Sequence, residues 1–296
     1  MIGFDGSAES RDALELGGRL ARLEAAKVIV VAGFGHSPTG IGEEAFERLL
    51  AKDSEPLFAE ARRALDGIDV STLALGTGSP AQALHDVAEA ERAEAIVLGS
   101  THRGALGRIL PGSVGERLLD GAPCSVVIAP RGFARGEHFG LGVIGVAYDG
   151  TEESKIALVE AKRLAVNLDA TLRLIGAVAP LSPSPERGPY LGVLREDHHQ
   201  RLEHGAASIG DGVEVETVLV DGDPAAALAV QGIELDLLLI GSRGYGPLRR
   251  TLLGGVSAKV MRTAPCPVWV TARGATHTSA RASDLQGAGE RSASAR

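Results

Sequence analysis

Apolar residues in this chain gather into short unbroken runs, each followed by a stretch whose apolar positions recur every three to four residues. "LGVIGVAYD", residues 141 to 149, is such a run and has the length of a buried strand. Thr151 and Ser154 follow as cap candidates. A helix is predicted from Glu152 to Leu168, with Ile156, Val159 and Leu164 on its apolar side. "TLRLIGAVA" is a second buried strand, and a Pro-rich loop then leads to a helix over about 191 to 207. "VEVETVLVDG" alternates with period two and precedes a short Ala/Leu helix. "DLLLIGS" runs into a glycine loop, "GGVSAKVMRT" reads as one more helix, and "PVWVTA" closes the series. Apolar strands that alternate with helices imply a parallel sheet covered on both faces.

The series occurs twice. Shifted by 144 residues, "GFDGSAESRDALELGGRLA" lies over "AYDGTEESKIALVEAKRLA", so Asp5 falls on Asp149 and Leu14 on Leu158. Gly78 falls likewise on Gly222 and Pro80 on Pro224. With a shift of 142, Gly99, Gly104, Arg108, Gly112 and Cys124 fall on Gly241, Gly246, Arg250, Gly254 and Cys266. A period this long means duplicated domains, not a solenoid. The prediction is an α/β protein of two doubly wound, five-stranded parallel-sheet domains, Rossmann-like with strand order 3-2-1-4-5. The expected boundaries are 1–131 for the first domain, 132–140 for a linker, 141–273 for the second domain and 274–296 for a disordered tail rich in Ser, Ala, Gly and Arg. Met1 aligns with Gly145, so either the chain starts further upstream or its first strand is unusually short. The last strands, 125 to 129 and 267 to 271, would otherwise be exposed apolar edges. Antiparallel pairing between them is expected, an intramolecular counterpart of a homodimer with pseudo-two-fold symmetry.

Composition narrows the function. With 296 residues, 44% hydrophobic and 23% charged, the chain has room for two ordinary cores. Only 3% is aromatic, so Ala, Val, Leu and Ile must build them. A net charge of −8 argues against nucleic acid or an anionic membrane as a partner. No apolar run approaches the roughly 18 residues of a membrane span. "MIGFDGSAES" lacks signal-peptide character, and two cysteines cannot form a disulfide framework, so a cytoplasmic location is expected. Cys124 and Cys266 read as small buried residues. "EDHHQRLEH", residues 196 to 204, reads as a solvated helix face in preference to a metal site.

The candidate chemistry lies in two glycine loops, "GSTHRGALGRILPGSVGERLLDGAPCSVVI" at 99 to 128 and "GSRGYGPLRRTLLGGVSAKVMRTAPCPVWV" at 241 to 270. Ligands of such sheets bind beyond the carboxyl ends of the strands, where the strand order reverses. Glycine lets backbone N–H groups approach phosphate oxygens and permits positive φ. A helix start at 254 to 256 adds unpaired N–H donors and a favourable dipole. Arg243, Arg249 and Arg250 add positive charge. Asp5 and Asp149 can either accept hydrogen bonds from an adenine amine or ribose hydroxyls, or simply shape the turn.

The spacing G-x2-G-x9-G-(S/T), an Asp ending the first strand and a closing "APCPVWV" together resemble the universal stress protein family in tandem form. The resemblance covers about 1 to 273. It implies ATP or AMP binding, with Mg as an optional companion, and a regulatory role with a protein partner still to be identified. Carried over residue by residue, the site falls on Asp149, Ala177, Gly241, Arg243, Gly244, Gly254, Gly255 and Val256 in the second repeat. In the first it falls on Asp5, Gly33, Gly99, His102, Gly112, Ser113 and Val114. Each repeat departs once: His102 stands where a second motif glycine is expected, and Gly255 where the Ser or Thr is expected. A side chain at 102 is the harsher change, so the second site is expected to bind more tightly. No P-loop and no nucleophile elbow is present. Slow ATP hydrolysis and a nucleotide-free interaction module remain the alternatives.

Overall fold

The computed structural model describes residues 1–35, 42–100, 114–119, 121–136, 140–179, 188–242 and 255–271. The first repeat runs β1 (Ile2–Gly3), α1 (Ala8–Glu24), β2 (Val28–Phe34), α2 (Glu43–Ala64), β3 (Val70–Gly76), α3 (Pro80–Ala90), β4 (Ala95–Gly99), α4 (Val114–Leu119) and β5 (Ser125–Ala129). The second runs β6 (Val143–Ala147), α5 (Glu152–Leu168), β7 (Thr171–Val178), α6 (Gly188–Ile209), β8 (Val215–Asp221), α7 (Pro224–Gln231), β9 (Leu237–Gly241), α8 (Gly255–Thr263) and β10 (Val268–Thr271). The helix expected over 191 to 207 is α6, longer at both ends. The proposed tail lies outside the described residues.

The ten strands among the described residues form one sheet in the order β3-β2-β1-β4-β5-β10-β9-β6-β7-β8. Each half is a parallel 3-2-1-4-5 sheet, and only the central β5–β10 step is antiparallel. There Val268 faces Ile128, Trp269 faces Val127 and Val270 faces Val126. Under the repeat shift Val126 matches Val268 and Ile128 matches Val270, so each pairing is mirrored by its counterpart. This is the self-complementary register of a two-fold interface. It removes the two apolar edges, and all five residues of β5 and all four of β10 are buried.

The first strand is short, two residues against five in β6. Pairing continues beyond it, because the Met1 amine donates to the Ala95 carbonyl at 2.9 Å and Phe4 N–H to the Val31 carbonyl at 2.9 Å. One face of the sheet packs on α1, α2, α5 and α6 through Leu16, Phe58, Leu164 and Leu202; the other packs on α3, α4, α7 and α8 through Leu84, Leu118, Leu228 and Met261. Cys124 and Cys266 are buried at matching places in the second face.

The segment joining the repeats is pinned to α1. The Asp12 carboxylate, 3% exposed, accepts from the Gly132 and Ala134 N–H groups at 2.8 Å each. Phe133 is buried between them, with the Arg19 guanidinium 5.4 Å above its ring. The repeats also meet through Arg163 of α5, which pairs with Glu160 on its own helix and with Glu24 of α1. Ile156 matches Asp12 under the shift of 144. The latch therefore belongs to one repeat alone.

Candidate nucleotide site

The first strand of each repeat ends in Asp-Gly followed by a hydroxyl residue, and that triplet builds one wall of a cleft. Asp5 Oδ1 accepts from the Ser7 N–H at 2.9 Å and the Ser7 hydroxyl at 2.6 Å. Asp149 Oδ1 accepts from the Thr151 N–H at 3.0 Å and its hydroxyl at 2.6 Å. Gly6 and Gly150 turn the chain with φ of +78° and +80°, a region L side chains rarely adopt. Ser7 and Thr151 then cap α1 and α5 by accepting from the Ser10 and Ser154 N–H groups. The turn-shaping role does not take the aspartates out of the clefts, which both of them also line. Burial raises the Asp5 pKa, but the hydrogen bonds from Ser7 and then Ser10 outweigh it and hold the carboxyl below its ordinary value.

The second cleft, about 300 Å³, lies at the switch in strand order between β6 and β9. It is walled by Asp149 and Thr151, by Ala177 at the end of β7, by Gly241 at the end of β9, and by Gly255, Val256 and Ser257 opening α8. Pro224, Leu228 and Ile240 supply its apolar side. The first cleft, about 170 Å³, brings together Asp5, Gly33, Gly99 and Val114 with Pro80 and Leu84. Of the residues expected at the sites, His102, Gly112, Ser113, Arg243, Gly244 and Gly254 lie outside the described residues. All the others line their clefts.

The motif glycines do different things. Gly99 and Gly241 do not have positive φ. What each needs is the absence of a Cβ, which would stand 1.9 Å from the Glu9 carbonyl oxygen at Gly99 and 2.4 Å from that of Glu153 at Gly241. They let the first turn of α1 or α5 lie against the end of β4 or β9. Gly255 is the reverse case, with nothing among the described residues within 4 Å of an added Cβ. It has room for the Ser or Thr that the motif expects there.

The glycine motif does not mark every residue of the clefts. Pro80 and Pro224, which match across the repeats, each line a cleft, so their repetition is a usable signal. His198, which the sequence places on a solvated helix face, reaches the second cleft from α6. Among the described residues no group of three or more His, Cys, Asp or Glu is arranged to hold a metal ion.

A model of the universal stress protein family matches residues 1–130 and again 141–272. The chain belongs to that family. A universal stress protein of Mycobacterium tuberculosis (strain ATCC 25618 / H37Rv) is 30% identical over 238 residues, which cover 76% of this chain and 80% of the relative. Another, from Mycolicibacterium smegmatis, is 29% identical over 287 residues and covers 91% of this chain and 95% of its own length. The crystal structure of a universal stress protein from Archaeoglobus fulgidus DSM 4304 shares the fold, with a TM-score of 0.68 over 92% of this chain and 97% of that one at 23% identity. The tandem layout of this universal stress protein therefore extends along whole relatives, not single repeats. Among the described residues no helix is long and apolar enough to cross a membrane.

Proposed function

We propose that this chain is an adenine-nucleotide-binding regulatory protein of the cytoplasm that holds ATP or AMP in its second repeat and, more weakly, in its first. The observation that carries this reading is the convergence of three features on one cleft at the strand switch. These are the Asp149 carboxylate, the N-terminal turn of α8 at Gly255, Val256 and Ser257, and an apolar slot of Ala177, Pro224, Leu228 and Ile240. A base fits the slot, a carboxylate accepts from its sugar, and N–H groups at a helix start suit phosphates. Glu153, which lines the same cleft against Gly241, is the carboxylate that would meet any Mg accompanying a triphosphate.

The first repeat keeps the aspartate and the slot, but its cleft is smaller, about 170 Å³ against about 300 Å³. That difference and His102 support the ranking of the two sites. Nucleotide released from the denatured, freshly purified protein and identified by mass spectrometry tests the reading. Calorimetry with ATP and AMP then gives the number and order of sites. Protein that carries no nucleotide and binds none would leave an interaction module. A phosphate-release assay separates holding ATP from hydrolysing it.

A further inference from the structure

We propose that His198 is a ligand contact of the second site, specific for the nucleoside end of its ligand, and that it makes the two sites chemically unequal. The inference rests on the nucleotide reading and adds a residue from an element that the glycine motif does not include.

His198 lies on α6, whose early turns stand at the carboxyl edge of the sheet, and it lines the second cleft beside Tyr148, Asp149 and Thr151. Its Nδ1 is 2.9 Å from the Leu194 carbonyl oxygen. A carbonyl can only accept, so Nδ1 carries the proton and the ring is held in one orientation. Among the described residues Nε2 has no hydrogen-bond partner, and in the neutral ring it is the acceptor that a ligand can meet. Direction follows from the topology. Helix α6 packs on β7 and β8, whereas α8 follows β9, on the opposite side of β6. A ligand with phosphates at the α8 terminus has its other end towards α6. His198 therefore meets donors there, a ribose hydroxyl or an exocyclic amine, and not the phosphates.

The first repeat lacks this contact. Leu57 packs on Gly6 as Arg201 packs on Gly150, so the shift of 144 holds along these helices and Ser54 is the counterpart of His198. Ser54 is 2% exposed, donates to the Ala51 carbonyl at 3.3 Å and does not line the first cleft.

The test is calorimetry on the full chain with adenosine, ATP and inorganic tripolyphosphate as probes. His198→Ala should weaken adenosine and ATP at one site by the same factor, roughly three- to tenfold for one hydrogen bond, and leave tripolyphosphate unchanged. His198→Asn, which keeps an acceptor on a shorter arm, should recover part of the loss, and Ser54→Ala should change nothing. Unchanged adenosine affinity in His198→Ala overturns the proposal. So does an equal loss for tripolyphosphate, which would make the effect one on phosphate or on the fold. A wild-type chain that binds neither adenosine nor ATP removes the nucleotide reading, and this inference with it.

Discussion

Replacing Gly241 by Ala tests why a glycine must end β9. The new Cβ would lie 2.4 Å from the Glu153 carbonyl oxygen, 2.5 Å from its carbon and 2.8 Å from its Cβ, where ordinary contact starts near 3.4 Å. The strand end and the first turn of α5 must therefore separate by roughly 1 Å, since two of the three obstructing atoms are backbone rather than the tip of a flexible side chain. Overpacking of this kind costs about 3 kcal/mol, and the reduced freedom of the unfolded chain offsets roughly 0.5–1 kcal/mol of it. A net loss of about 2 kcal/mol is expected. Gly99→Ala, with its Cβ 1.9 Å from the Glu9 carbonyl oxygen, should lose more. Gly255→Ala is the control: it meets nothing among the described residues within 4 Å and should be neutral or gain up to about 1 kcal/mol in helix α8. Guanidinium unfolding followed by fluorescence reads all three, because Trp269 is the only tryptophan and is buried in β10 at the junction of the repeats. The shifted turn carries Asp149 and Thr151, so Gly241→Ala should also lose nucleotide at the second site. A Gly241→Ala protein with the wild-type unfolding midpoint would refute the packing argument.

Other outcomes follow from the same geometry. Asp12→Ala strands the Gly132 and Ala134 N–H groups beneath Phe133 and should cost about 2–3 kcal/mol in denaturant unfolding, since each bond is to a charged acceptor. Arg163→Ala leaves the mostly buried Glu24 and Glu160 without their shared cation and should cost about 1–3 kcal/mol, a loss that shrinks in high salt. Burial pushes the Cys124 thiol up to about 11 and Cys266 to about 12 from an ordinary value of 9.0, so neither should react with a disulfide reagent at pH 8 until the chain unfolds. Their sign is that of raised groups: the unfolded thiols ionise first, and stability contributed by the protonated native forms falls as pH climbs from about 9 through 11, a slope that Cys124→Ala should reduce. Gly255→Ser places its Cβ clear of every described residue and adds a hydroxyl at the α8 terminus, so it should tighten ATP at the second site several-fold by calorimetry; weaker binding would count against phosphate there.

The duplicated pattern of apolar runs and capped helices was sufficient for the architecture, because strand and helix periods, Asp-Gly turns and edge protection are local or nearly local demands. Helix α5 begins and ends where Thr151, Ser154 and Leu168 said it would. The ten-stranded order and the β5–β10 pairing followed from two apolar edge strands that had no other cover. Asp5 and Asp149 stand out in the sequence because they recur at a spacing of 144, whereas Gly33 and Ala177 come only from the family resemblance; all four line the clefts. What the chain alone could not disclose depends on residues far apart in sequence meeting across the sheet. The need for glycine at 99 and 241 comes from carbonyls of helices that precede them by about 90 residues in the same repeat. Asp12 holds a segment 120 residues further on, and its counterpart Ile156 gives the repeat comparison nothing to mark. His198 looked like one charge among many on a solvated helix. Only the packing of α6 on β7 and β8 brings that position over the end of β6, and only the tie of its Nδ1 to Leu194 leaves Nε2 for a ligand.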